Sequence, residues 1–235
     1  MTRVLRVASG GLAYAILAAV LLFLLAQAWF FARVFWLRTH DPGETSFMAR
    51  RLDELREKDP RATLKHSWVP YDRVSPHLKR AVVAAEDARF AEHEGFDWDG
   101  IQKAIEKNQK KGRLVAGGST ISQQLAKNLF LSGERSLLRK GEEALITLML
   151  EAAMDKRRIL ELYLNVAEWG EGVFGCEAAA RHYFGVSAAH LNAAQSARLA
   201  AMLPRPRHYD RNRASPYLAA YSERILRRMS AAQLP

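Results

Sequence analysis

Residues 144–164 read ALITLMLEAAMDKRRILELYL. Leucine, isoleucine and methionine fall on several faces of a 3.6-residue repeat in its first half, which predicts a central, largely buried helix. The segment is too short, and too charged at Asp155–Arg158, to cross a bilayer. Outward from it, the sequence stays rich in Ala, Leu, Glu, Lys and Arg and poor in β-branched alternation. Helices are predicted over 77–91, 99–110, 119–130, 137–165, 175–184, 188–203 and 214–231, an all-α domain spanning 77–235. Residues 39–76 hold Pro42, Gly43, Pro60, Pro70 and Pro76, with a short charged helix around Thr45–Lys58. They read as a connector packed on that domain.

The N-terminal part is different. No charge occurs between Arg6 and Arg33, and the 26 residues Val7–Ala32 exceed the ~20 needed for a membrane-crossing helix. Trp29, Phe30, Phe31, Phe35 and Trp36 crowd its far end, as suits a lipid–water interface. Ala26-Gln27-Ala28 resembles a signal-peptide cleavage site. The apolar run exceeds an ordinary signal core, however, and continues past that site, which favours a retained anchor over residues 1–38. Basic residues on both sides leave its orientation open.

Composition narrows the function. Of 235 residues, 49% are hydrophobic, which excludes a wholly disordered chain. The one cysteine, Cys176, excludes an internal disulfide and argues against a cysteine-based zinc site. With 35 Lys and Arg against 25 Asp and Glu, the net charge is +10, which points to an anionic partner. A membrane tether makes nucleic acid a poor candidate, and no nucleic-acid partner is expected.

Four constellations bear chemistry. In AVVAAEDARFAEHEGFD, residues 81–97, helical spacing puts Glu86 on a face with Val82, Val83 and Phe90. A carboxylate on an apolar face has a raised pKa and suits acid–base work; a Glu86–Arg89 pair on a partly exposed helix is the alternative. Asp87, His93 and Asp97 are its candidate polar neighbours, in a spacing that fits no metal motif. In GGSTISQQLAKNLF, residues 117–130, Thr120 and Gln123 have capping-box spacing, and Gln124 and Lys127 follow on the helix. A helix N-terminus beside a lysine can hold sugar hydroxyls or phosphates, although a well-capped helix alone explains the pattern. In RSLLRKGEEALITLMLE, residues 135–151, Arg139 and Lys140 precede Glu143 by four and three positions. They form either intrahelical ion pairs or a basic pair facing a diphosphate beside a second carboxylate, as sugar transfer needs. In residues 156–185, Glu161, Tyr163 and Asn165 read as surface groups or structural supports.

Together these residues resemble the monofunctional peptidoglycan glycosyltransferases, relatives of the glycosyltransferase domain of class A penicillin-binding proteins. The family's blocks stand here in order as Glu86, Asp87, Phe90, His93 and Gly95; Gly117–Thr120, Gln123–Leu125, Lys127 and Asn128; Arg139, Lys140 and Glu143; Ile159–Glu161, Tyr163 and Asn165; and Leu199–Pro206. Ser122 and Cys176 are mild departures. No Ser-x-x-Lys or Lys-Thr-Gly occurs, so penicillin-binding chemistry is not expected.

The resemblance implies a lysozyme-like lobe, a smaller membrane-embedded lobe and an inner-membrane anchor with the domain on the periplasmic side. It implies lipid II and the nascent glycan as substrates, with Glu86 as general base and Glu143 as the second carboxylate. Lys127, Arg139 and Lys140 would face diphosphates. Asp87, Phe90, His93, Ser119, Thr120, Gln123, Gln124, Asn128, Glu161 and Asn165 complete the implied substrate site. Implied partners are membrane lipid and cell-wall synthesis or division proteins. No cofactor is required; a divalent cation, Mg2+ or Mn2+, could assist diphosphate departure. Two rivals remain at this point. A lytic transglycosylase would need one acidic Glu and no diphosphate site. A membrane-anchored scaffold would not need Glu86.

Overall fold

The computed structural model describes residues 2–113, 117–131 and 136–235, with side chains from Leu12 onward. It forms two compact units, Met1–His40 and Asp41–Pro235. The first is built on one helix, α1 (Thr2–Trp36). Its 25-residue stretch Leu12–Trp36 contains an 18-residue window of mean hydropathy 2.4. At about 1.5 Å per residue it outspans a hydrocarbon core of about 30 Å. The helix fits a single-pass membrane anchor. Arg33 lies 5.2 Å from the Trp36 ring and Arg38 4.7 Å from Phe35, so the exit end pairs cations with aromatic faces.

The second unit is mostly helical. In chain order it contains α2 (Ser46–Arg56), β1 (Lys65–His66), α3 (Pro76–Glu86), α4 (Trp98–Lys111), α5 (Ile121–Phe130), α6 (Leu137–Ala153) and α7 (Lys156–Val166). Then come β2 (Glu168–Gly170), β3 (Val173–Phe174), α8 (Cys176–Phe184), α9 (Ala193–Met202), α10 (Pro206–Arg211) and α11 (Pro216–Arg228). The core centres on α7, where Ile159, Leu160, Leu162, Tyr163, Leu164 and Val166 are buried. Helix α5 packs on α2, α6 and α7, while α3 packs on α9 and α11. The C-terminus of α3 meets the start of α5 where Ile121 N donates to Asp87 Oδ2 at 3.0 Å.

Five expectations change. The helix predicted over 188–203 starts only at Ala193: residues 188–190 form a separate 3-10 turn, and Asn192 is extended at φ −79°, ψ 175° and caps α9. The predicted helix 137–165 is two helices. Met154 adopts an extended backbone, and the Asp155 side chain accepts from Arg158 N at 2.7 Å to start α7 afresh. The buried helix expected over 144–164 is therefore α7. Helix α6 buries one face, with Glu143, Ile146, Thr147 and Leu150, and exposes Leu137, Leu138, Leu145 and Leu148. The helix predicted over 77–91 ends at Glu86, because Asp87 leaves helical geometry at φ −160°, ψ 76°. Finally, a small sheet of order β1-β3-β2 breaks the all-α expectation, with β1 parallel and β2 antiparallel to β3. Strands of two or three residues carry no readable alternation.

Candidate active site

The end of α3 determines the setting of Glu86. Val82 and Val83 stay fully buried, and so does Phe90 from the loop beyond. Arg89 turns away to Asp97 at 2.5 Å and Asp99 at 2.7 Å, so it does not form the i,i+3 pair with Glu86. Glu86 instead accepts a hydrogen bond at Oε2 from Gln124 Nε2 at 2.8 Å. The Gln124 Oε1 accepts from the Tyr163 hydroxyl at 3.0 Å. Burial pushes the Glu86 carboxyl above its ordinary range, against the opposing pull of the Gln124 bond and the Lys127 charge.

Helix α5 is placed by its own N-terminus. Thr120 and Gln123 complete the capping box, and Thr120 Oγ1 also donates to Gly95 O at 2.6 Å. Gly95 has φ +91°, and a Cβ there would sit 2.8 Å from Thr147 Cγ2, so the loop needs glycine to approach α6. Asp87 holds the same junction. Its Oδ2 accepts from Ile121 N at 3.0 Å, and its Oδ1 lies 2.9 Å from His93 Nε2.

On α6, Arg139 Nη1 donates to Glu143 Oε2 at 2.7 Å, and Lys140 Nζ pairs with Glu143 Oε1. Lys140 also reaches Ser119 Oγ at 3.4 Å. Glu143 is buried, and the Arg139 Nε is buried with no partner among the described residues. Lys127 makes no ion pair among them. Burial lowers its pKa, with the nearby Arg139 and Lys140 charges adding to the effect.

A cavity of about 870 Å³ lies against Gln124, Lys127 and the charged cluster of α6. Ser119, Gln123, Gln124, Lys127, Asn128, Arg139, Lys140 and Glu143 line it. Glu86, which meets the cavity wall through Gln124, and the other sequence-predicted site residues are not in its lining. Phe90 is core, and Asp87, His93 and Thr120 fix the junction of α3 and α5. Glu161 pairs with Arg158 at 3.3 Å. Asn165 is fully buried and clamps Val69 through its N–H and carbonyl, both at 2.9 Å.

The transglycosylase family profile matches residues 52–230. A protein named biosynthetic peptidoglycan transglycosylase from Janthinobacterium sp. is 63% identical over 94% of this chain and 95% of its own. Its namesake from Aromatoleum aromaticum is 58% identical over 98% of this chain and 100% of its own. The chain belongs to the transglycosylase family. It is a glycosyltransferase enzyme.

Sequence reasoning about this transglycosylase missed part of the cavity. Phe47, Arg50 and Arg51 from α2, Tyr163, Glu168, and Arg205, Arg207 and Arg211 from around α10 also line it. Only Tyr163, Glu168 and Arg205 stood inside a constellation or family block named from the sequence; the others lie outside them.

Glu86 carries a stability cost whose sign is fixed. Below about pH 4.3 its carboxyl is protonated in both folded and unfolded chains and costs nothing. As pH rises through the raised folded pKa, the charge must be held in a poorly solvated place. Glu86→Gln is therefore expected to match wild type near pH 4 and to unfold at a higher temperature at pH 8. Thermal unfolding at both pH values decides it; a variant that melts earlier than wild type at pH 8 contradicts the assignment.

Proposed function

We propose that this protein polymerises peptidoglycan glycan strands from lipid II. The observation that carries the reading is Glu86, hydrogen-bonded to Gln124, which lines a cavity together with Lys127 and a second carboxylate, Glu143, that pairs with Arg139 and Lys140. Glu86 takes the proton from the 4-hydroxyl of the acceptor lipid II. That oxygen bonds to C1 of the growing chain. The C1–oxygen bond to the diphosphate breaks, and its electron pair leaves with undecaprenyl diphosphate. Attack from the face opposite the leaving group inverts C1. Lys127 and the unpartnered Arg139 N–H offset the charge that develops on the diphosphate. Glu143 holds Arg139 and Lys140 in place for it.

The names of the relatives support peptidoglycan as the product. The basic lining supports a diphosphate-bearing substrate and makes a lytic enzyme the weaker reading. Among the described residues no group of three His, Cys, Asp or Glu could hold a metal ion by itself. No step is derived through one. The exposed Leu137, Leu138, Leu145 and Leu148, with Trp98 and Ile105 on α4, support a membrane-dipping lobe beside a lysozyme-like one. With α1 as anchor, the catalytic unit works at the periplasmic face of the inner membrane, where lipid II and nascent glycan meet it. Cell-wall synthesis or division proteins are its expected neighbours, and transpeptidation is not part of its activity.

The test is incubation of the full-length protein with labelled lipid II in detergent. Glycan polymer and released undecaprenyl diphosphate are expected. Cleavage of finished glycan without polymer formation would replace this reading with the lytic one.

A further inference from the structure

Glu86 has two oxygens in different settings. Oε2 accepts from Gln124 Nε2 at 2.8 Å. Oε1 has no partner among the described residues. An amide side chain can turn over and exchange its N–H and carbonyl ends. At Gln124 that exchange would place a carbonyl oxygen against the carboxylate. What opposes it is the Tyr163 hydroxyl, which donates to Gln124 Oε1 at 3.0 Å from a side chain that is 1% exposed. Burial, together with the Glu86 and Asp87 charges, pushes the phenol well above its ordinary pKa, so the hydroxyl keeps its proton and remains a donor. With the phenol donating to Oε1 and the ionised carboxylate able only to accept from Nε2, both neighbours favour the same orientation of the amide.

We propose that Tyr163 is a positioning residue for the reaction: acting through the Gln124 amide, it holds Glu86 Oε2 and leaves Oε1 as the atom that takes the acceptor proton. The inference rests on the reading of Glu86 as general base. Tyr163 comes from the buried helix α7, and Gln124 from α5, which packs on it. The base is thus aimed from the core, by a residue two hydrogen bonds from the reacting oxygen.

The readout is the pH dependence of kcat/KM for polymer formation by the full-length protein. A base must be ionised to work, so activity climbs with pH through its pKa. Tyr163→Phe keeps the ring and removes the donor. The amide then keeps only one of its two contacts, its hydrogen bond to Glu86 Oε2 weakens, and the acid limb moves up by about one pH unit. On that limb kcat/KM falls about tenfold, and it recovers toward the wild-type value at high pH. Gln124→Met is expected to move the limb in the same direction. Adding Tyr163→Phe to Gln124→Met is expected to move it no further, because the route is already cut.

A folded Tyr163→Phe whose rate falls equally at all pH values, or whose limb stays in place, overturns the proposal. So does a full additional shift in the double variant. If the phenylalanine variant fails to fold, 3-fluorotyrosine at 163 keeps the hydroxyl and strengthens it as a donor. The limb must then move downward, and an unmoved limb refutes the relay. Glu86→Gln separates the two levels. Retained polymerisation in that variant removes Glu86 as base, whereas its loss beside an unmoved Tyr163→Phe limb removes only the relay.

Discussion

Glu86→Gln is expected to fold and to lose polymer formation by about 10²–10⁴-fold, the usual contribution of a positioned general base. The substitution is nearly isosteric and keeps an acceptor for Gln124 Nε2, so the hydrogen bond at 2.8 Å has a counterpart in the variant. What disappears is the basic oxygen that can take a proton from a sugar hydroxyl. The cavity lining, including Lys127, Arg139, Lys140 and Glu143, is untouched. Binding of lipid II should therefore persist while turnover fails, so kcat falls and KM changes little. Initial rates of polymer formation over a range of lipid II concentrations separate the two. A variant that keeps a tenth or more of wild-type kcat would remove Glu86 from the base role and leave Glu143 as the carboxylate to test.

Local signals made much of this site readable. The Thr120…Gln123 spacing anticipated a capping box, and the box is present. Apolar periodicity found most helices because one buried face repeats with the helical turn. It failed at Met154–Asp155, where hydrophobic residues continue on both sides of a break made by one capping carboxylate. It also overran the end of α3, since Phe90 is as buried as a helical continuation would make it. Pairings distant in sequence left no trace: Gln124 meets a carboxylate 38 positions earlier and a hydroxyl 39 positions later. Spacing rules reach one or two turns, so the aim of Glu86 is a property of tertiary packing.

The largest stability effect is expected at another such pairing. Arg51 on α2 meets Glu168 on β2 through two hydrogen bonds, Nε to Oε1 at 2.8 Å and Nη2 to Oε2 at 2.9 Å. Both residues are buried, at 4% and 6% exposure. The guanidinium also pairs with Glu54 and lies 5.3 Å from the Phe47 ring. Burial pushes the Glu168 carboxyl up, and Arg51 is the main influence opposing it. Arg51→Ala leaves that carboxylate buried without its fork, which costs about 3–5 kcal/mol. For a unit of this size, each kcal/mol lowers Tm by about 2–4 °C. The deficit should widen with pH. Below about pH 4.3 Glu168 is protonated in both states, and above its further raised folded pKa the charge must be forced into the core. Thermal unfolding of Arg51→Ala is thus expected to show a larger loss at pH 8 than at pH 4.5, and equal losses would mean that packing against Phe47 is what Arg51 supplies. Replacing both partners by apolar groups, Arg51→Met with Glu168→Leu, should restore most of the stability, because neither charge is then stranded. Both side chains line the cavity, so the restored fold would still have lost two of the charges that define its wall.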